Sequence, residues 1–256
     1  VNSQPVSLTI TALPGIPLIQ PGDDLVQIIL DGLSSAGLTL QDGDALVVTS
    51  KIVSKSEGRI VDLNAVTPSA QAIELAEETS KDPRVVELVL CESQGISRKA
   101  RGVLVVQHRL GFISANAGID QSNLEGGDNR VLLMPIDPDE SARKICARLE
   151  QATGAKIAVV ISDSHGRPFR MGNVGVAIGV AGMPALLDLR GQSDLFGRKL
   201  KISMSGYGDL VASAAHLLSG EGDEGRPVMH LRGLQFPAGD GHANDLYRPA
   251  EQDLYR

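Results

Sequence analysis

"KIAVVISDSHGRPFRMGNVGVAIGVAGMP", residues 156–184, is the stretch on which the reading of this chain turns. Five apolar residues, Ile157 to Ile161, run straight into Ser162, Asp163 and Ser164, with Arg167 and Arg170 close behind. A run of that composition reads as a strand buried on both faces, and the carboxyl ends of such strands are where α/β ligand sites gather. A carboxylate at that end is costly to desolvate unless a cation is near. Arg167, Arg170 or a divalent metal could serve. The plainer alternative is an aspartate that caps a turn by bonding the backbone of residues 164–166. Gly172, Gly175, Gly179 and Gly182 follow at spacings of three, four and three. On a helix they would share a face and admit another backbone; in a loop they would let the chain lie against a ligand. Close packing is the simpler cause.

Outward from this segment, strong element signals alternate. Upstream, "LTITALPGIPLI" reads as a strand broken by the turn Pro14-Gly15. "PGDDLVQIILDGLSSAG" reads as a helix capped by Asp23 or Asp24 and ended by Gly37. "DALVVTS" is a buried strand leading into "KIVSKSEGR". A helix is expected to begin at Thr67-Pro68. Strands are expected at "VVELVLC" and "GVLVVQ", flanking the basic patch "SRKAR", and at "RVLLMP". "DPDESARKICARLEQATG" is a helix with Asp137 as cap, Glu140 placed for a capping box and Gly154 as terminator. Downstream come a strand around "KLKISMS", the helix "DLVASAAHLLSG" and a strand near "RPVMHLRG". Helices and strands mix without a regular βαβ rhythm, so the fold class is α+β with mixed sheets. No composition break marks a boundary. Residues 1–256 read as one unit, with a smaller subdomain expected in the second half and a polar tail over 234–256.

Composition narrows the function. Aromatic residues make up 3% of the 256 residues, with no tryptophan, so the core must be aliphatic and base-stacking platforms are absent. The net charge of −7 disfavours nucleic acid and anionic membranes as partners. Cys91 and Cys146 both lie in apolar surroundings and read as reduced core residues. No apolar run approaches membrane-spanning length, and the start "VNSQPVSLTI" lacks a signal-type core, so the chain reads as cytoplasmic. There is no GxxxxGK[ST] loop, nor a GxGxxG between strand and helix. No nucleophile elbow, zinc pattern or glycosidase signature occurs, and His108, His165 and His216 share no ligand spacing.

Four further places could carry chemistry. In "SANAGIDQSN", Asp120 and Asn123 sit among small residues, which suits either a hard cation such as Mg²⁺ or Mn²⁺ or an ordinary Asx turn. In "LLSGEGDEGRP", Glu221, Asp223 and Glu224 follow a helix C-terminus, where negative charge is unfavourable unless Arg226 or a bound cation offsets it. Ser50, Lys51 and Lys55 stand just past a buried strand; lysines four apart share a helical face and could hold phosphate, or simply face water. Arg98, Lys99 and Arg101 read as a solvated loop or a landing place for a polyanion. Together these are the equipment for an anionic nucleotide with metal.

The order of these pieces resembles one known family. "LPGIPLIQPGDDL", "VVTSKIVSKSEGR", "SANAGIDQSN", "ISDSHGRPFRMGNVGVAIGVAG" and "ASAAHLLSGEGDEGRPV" occur in the sequence and spacing of the coenzyme F420-0:γ-glutamyl ligase family, over residues 8 to 233. Its members put glutamate onto the deazaflavin cofactor F420. The resemblance implies a two-part α+β fold in its single-domain form, working as a homodimer. It implies a GTP-dependent ligase that adds L-glutamate to F420-0 and extends the tail of short-tailed F420. GTP is the co-substrate, and Mg²⁺ or Mn²⁺, two ions, acts with K⁺. Carried over by position, Asp120, Asp163, Ser164 and Glu221 are the metal ligands. Leu13, Pro14, Gly15, Ile16, Ser50, Lys51, Lys55 and Asn123 touch the nucleotide. Two features depart from the family pattern. "SGYGDLVASAA" stands where something nearer "AVADELASAA" is expected, and Glu221 stands where a glutamine also occurs.

The residues fit that chemistry. Phosphoryl transfer from GTP to a carboxylate would give an acyl phosphate for the amine of glutamate to attack, which needs positioning and charge neutralisation rather than a protein nucleophile. Asp163 and Arg167 are the residues expected at the reacting groups, with Lys51, Lys55 and Arg167 on phosphate or acceptor carboxylate. Two other readings use the same residues: a metal-dependent kinase or phosphatase acting on a small phosphorylated metabolite, and a nucleotide-binding module without turnover.

Overall fold

The computed structural model describes residues 5–125 and 127–253. The first half carries β1 (Thr9–Ala12), α1 (Leu25–Ser35), β2 (Ala45–Thr49), α2 (Ser50–Ser56) and β3 (Ile60–Asp62). It continues with α3 (Ala70–Thr79), α4 (Pro83–Cys91), β4 (Ser93–Ala100), β5 (Val103–His108) and β6 (Ile113–Ala115). Then follow β7 (Arg130–Leu132), α5 (Pro138–Thr153), β8 (Ala158–Arg167), β9 (Arg170–Ala181), β10 (Leu186–Asp188), β11 (Met204–Gly206), α6 (Tyr207–Ser219) and β12 (Val228–Arg232). The class is α+β with mixed sheets, as expected. The chain divides into two compact units. The larger comprises Val1–Ile19, Asp23–Val53 and Asp137–Leu246, and the smaller Gln20–Gly22, Ser54–Ile136 and Tyr247–Arg256.

The larger unit is built on a five-stranded sheet of order β1-β12-β2-β8-β9. Only β2 and β8 run parallel; the other neighbours are antiparallel. The aliphatic composition is used here. Val47, Val160, Val180, Met229 and Leu231 from the sheet meet Val211, Ala212 and Ala215 of α6 in one buried cluster. Asp24 caps α1, accepting from the Val26 and Gln27 amides, and grips Arg148 of α5 through both carboxylate oxygens at 2.9 and 2.7 Å. Asp137 caps α5 through the Glu140 amide, and Gly154 ends it in the left-handed conformation that glycine adopts without strain.

Two sequence expectations are corrected within the strand pair β8–β9. The strand begins at Ala158 and does not stop at Asp163; it runs on to Arg167 and returns as β9, a hairpin whose far end is exposed. The four glycines are not on a helix: Gly172, Gly175 and Gly179 lie within β9, and Gly182 stands in the bend just after it. Close packing is the reason for Gly175 and Gly179. A Cβ on Gly175 would stand 2.5 Å from the Ala212 carbonyl oxygen of α6, and one on Gly179 would meet the Pro138 carbonyl of α5. A register shift between the pairs Ile161–Gly179 and Ser162–Ala177 inserts Ile178 and reverses the alternation of side chains. The two glycines therefore open toward two different helices, α6 and α5.

β9 ends the sheet, and its outer edge is covered by helix side chains. Asp209 in the first turn of α6 accepts from the Ala177 amide, and Asp139 in the first turn of α5 accepts from the Val180 amide. Ser213 donates to the Gly175 carbonyl at 2.6 Å. At the other end of β2, Asp44 is buried against His230 and Arg232, whose hydrogen bonds outweigh the desolvation that would raise its pKa and leave it lowered.

The smaller unit packs α3 and α4 against the sheet β4-β5-β6, with β3 and β7 paired beside the same core. β5 alternates as a half-buried strand should: Leu104, Val106 and His108 are buried, and the residues between them less so. The expected strand at "VVELVLC" is instead α4. Asp82 caps it, Pro83 occupies its first turn, and Val85, Val86 and Val89 bury one helical face, so the cap and the helical period override the strand propensity of valine. Cys91 ends that helix exposed, which corrects its reading as a core residue, while Cys146 is buried as expected. The helix expected from Thr67-Pro68 begins at Ala70, because Ser69 supplies the cap by accepting from the Ala72 amide. In the larger unit, the strand around "KLKISMS" shrinks to Met204–Gly206. Among the described residues no helix is long and apolar enough to cross a membrane.

Candidate functional site

The larger unit gathers residues from four separated parts of the chain. β2 and β8 run side by side with Thr49 opposite Ser162, so the residues that follow them, Ser50 and Asp163, are neighbours. Ser50 Oγ donates to Asp163 Oδ1 at 2.8 Å, and His165 Nε2 lies 2.9 Å from Asp163 Oδ2. Successive residues of a strand alternate in direction. Ser164, opposite Gly175, accordingly has a different partner: its hydroxyl donates to Glu221 Oε2 at 3.2 Å. The other oxygen of Glu221 is 2.9 Å from His216 Nε2.

Asp163 and Ser164 are thus neighbours on β8 with separate partners, and Ser164 reaches Glu221, 57 residues further along the chain. Arg167 does not pair with Asp163 as the local reading allowed. Its guanidinium donates to the Met171 and Gly172 carbonyls, bracing the tip of the β8–β9 hairpin. Arg226 does meet the helix end it was expected to offset, donating to the Leu218 carbonyl at 3.4 Å.

The loop Leu13–Ile16 is fixed from below. The Leu13 amide donates to the Val228 carbonyl, and Gly32 of α1 lets the loop approach closely; a Cβ there would stand 3.1 Å from Ile16 Cδ1 and 3.3 Å from Leu13 Cβ. Leu13 is buried, whereas Pro14 and Gly15 are exposed, and Gly15 takes a positive φ of 73°. Lys51 stands in the first turn of α2, directly after Ser50.

In the smaller unit, Lys55 Nζ donates to the Asn123 carbonyl at 2.7 Å. Asp120 accepts from the Ser122 amide and hydroxyl and bridges by backbone to Leu132, which is the Asx-turn geometry that the sequence allowed as the alternative to a cation. Asn116, Ala117, Gly118 and Asn123 all have positive φ, so the loop turns sharply on either side of the Asp120 bridge. The patch Arg98–Arg101 lies on the β4–β5 hairpin, where Lys99 pairs with Glu78.

Asp163 with Ser50, and Glu221 with Ser164, each offer carboxylate and hydroxyl oxygens, the kind that hard divalent cations prefer, and each carboxylate oxygen keeps a lone pair beyond its hydrogen bond. Mg²⁺ takes one or two carboxylates together with water and substrate phosphate. Among the described residues no three His, Cys, Asp or Glu side chains form a cage by themselves. Sequence spacing missed His165 and His216, because their partners are set by the β8 strand and by the turn after α6. It also missed Asp209, whose carboxyl is pushed up by burial.

Residues 15–233 match the F420-0:Gamma-glutamyl ligase family. This chain belongs to that family. It is 44% identical over 255 residues to the coenzyme F420:L-glutamate ligase of Methanothermobacter thermautotrophicus, covering 98% of this chain and 100% of that relative. The protein of the same name from Methanocaldococcus jannaschii is 43% identical over 241 residues, 94% of each chain. That from Archaeoglobus fulgidus is 42% identical over 242 residues, again 94% of each. The family match runs from Gly15 to Gly233, past the turn after α6.

Proposed function

We propose that this protein is a GTP-dependent ligase that adds L-glutamate to coenzyme F420-0 and extends the γ-linked tail of short-tailed F420. The observation that carries this reading is the end-to-end likeness to relatives named coenzyme F420:L-glutamate ligase, at 44% identity over 98% of the chain. In the reaction, a carboxylate oxygen of the acceptor attacks the γ-phosphorus of GTP and GDP leaves, giving an acyl phosphate. The α-amine of glutamate then attacks the acyl carbon; phosphate leaves with the C–O bond pair, the amine gives up a proton, and an amide remains.

Such transfers depend on positioning and electrostatics. Leu13 to Ile16, Ser50 and Lys51 of the larger unit, and Lys55 and Asn123 of the smaller, are the residues assigned to the nucleotide. Mg²⁺ or Mn²⁺, as two ions with K⁺, would supply neutralisation of the phosphate charge. Asp163, Ser164 and Glu221 would hold a divalent ion, and Asp120 has the same duty in the smaller unit. Arg167 would orient phosphate or the acceptor carboxylate. Phe169 and Met171 at the hairpin tip and Leu195 and Phe196 beyond β10 are 87–97% exposed, which supports a homodimer in which a second copy covers apolar surface.

Mass spectrometry of F420-0 incubated with the protein, GTP, Mn²⁺ and L-glutamate tests the reading. The expected result is a mass gain in steps of one glutamate residue. GTP turnover that ignores L-glutamate would point to a kinase or phosphatase instead, and tight GTP binding without phosphate release to a nucleotide-binding module.

A further inference from the structure

The turn after α6 brings a histidine onto Glu221. α6 ends at Ser219, and Gly220 then takes φ 73° and ψ −179°, a conformation open to glycine and strained for other residues. The chain doubles back, and Glu221 Oε1 comes to lie 2.9 Å from His216 Nε2. An ionised carboxylate can only accept, so Nε2 carries the proton of that bond. In that tautomer the other ring nitrogen, Nδ1, is an acceptor, and Ser219 Oγ stands 3.2 Å from it, with the His216 and Gly220 carbonyls at 3.4 and 3.5 Å. With Ser164 donating to Oε2, Glu221 is held at both oxygens by groups on two different elements. His216 and Glu221 are partly exposed, with side-chain accessibilities of 23% and 51%, so neither is needed to fill the core.

We propose that His216, donating from Nε2, is a positioning residue that orients the Glu221 carboxylate toward a divalent cation. The inference rests on the reading of Glu221 as a metal ligand. A carboxylate on a loop rich in glycine samples many orientations, and a donor that pins one oxygen reduces the ordering that binding must impose. Partners of this kind behind metal ligands change metal affinity by about 10- to 100-fold when removed.

The test is Mn²⁺ titrated into the intact protein without nucleotide, followed by loss of the free-ion electron paramagnetic resonance signal, with melting curves to check the fold of each variant. Glu221→Ala is expected to lose the site. His216→Ala should weaken Mn²⁺ binding by about 10- to 100-fold with an unchanged melting midpoint. His216→Gln, whose amide N–H can reach the place of Nε2–H, should recover most of that loss. If His216→Ala binds Mn²⁺ as the wild type does while Glu221→Ala does not, the histidine has no such role. A glutamine variant as weak as the alanine one would also overturn the proposal, since the donated bond would then not be what matters. Should Glu221→Ala bind normally, or the wild type take up no Mn²⁺, the metal reading of Glu221 falls, and the role of His216 falls with it.

Discussion

Ser50 donates its hydroxyl proton to Asp163 across 113 residues of chain, at 2.8 Å. The bond exists because β2 and β8 are parallel neighbours in register, so that Ser50, where β2 gives way to α2, lies beside Asp163 while β8 runs on. Removing the hydroxyl frees one oxygen of a carboxylate proposed to hold metal. Ser50→Ala is expected to cost about 1 kcal/mol of stability, the net worth of one hydrogen bond. It should lower ligase turnover by about 10- to 100-fold, and Ser50→Thr should retain more activity than Ser50→Ala. Steady-state kinetics beside urea unfolding separate the two effects.

Asp163 itself should be indispensable for turnover and dispensable for folding. Asp163→Asn removes charge and almost no volume from a partly exposed position. Ligase activity should vanish while unfolding stays cooperative and the melting midpoint moves by a few degrees at most. Activity at the wild-type level would remove Asp163 from the site.

Acid should loosen the smaller unit through Glu92. Burial would raise the pKa of this carboxyl, but the His108 ring 3.6 Å away and the Arg59 and Arg109 guanidiniums, each donating at 2.9 Å, prevail and hold it at about 2, against an ordinary value of 4.5. Because the folded-state pKa is depressed, the stability it contributes is fully present above about pH 4.5 and is lost as pH falls toward 2. Glu92→Gln should flatten that part of the stability profile and cost about 3 kcal/mol at neutral pH, since two arginines lose their partner. Urea unfolding between pH 7 and pH 2.5 reads both.

Glycine is required in β9 for contact with helices. Gly179→Ala would press a methyl group into the carbonyl of Pro138, backbone that cannot rotate away. The expected cost is about 1–3 kcal/mol. Gly172→Ala offers a contrast, because nothing lies within 4 Å of its Cβ position and the penalty there comes only from its φ of 80°. Thermal melts of the two variants distinguish steric from conformational cost.

Much of this architecture is legible from local rules. Asp24, Asp137 and Gly154 announce their helix ends, and the apolar runs of β2 and β8 announce the centre of the larger sheet. α4 was misread because valine-rich runs satisfy both strand propensity and helical period, and only the preceding Asp82-Pro83 breaks the tie. The length of β8 was hidden because a polar residue after an apolar run marks the end of burial, which is not the end of the strand. The candidate site was half visible. Its carboxylates could be named one by one, but the pairing of Ser50 with Asp163 depends on sheet register. The pairing of His216 with Glu221 depends on the backbone angle of Gly220. Neither is a function of spacing along the chain.

The carboxylates that open the long helices carry a consequence for where a triphosphate can sit. Asp24, Asp137 with Asp139, and Asp209 stand at or just inside the N-termini of α1, α5 and α6, spending those amide-rich ends on caps and on the rim of β9. An incoming polyanion would meet like charge at each of them, where other nucleotide-binding proteins offer free N–H groups. On the proposed reading, phosphate would be held instead by the Leu13–Ile16 loop, by Ser50 and Lys51 at the start of α2, and by metal.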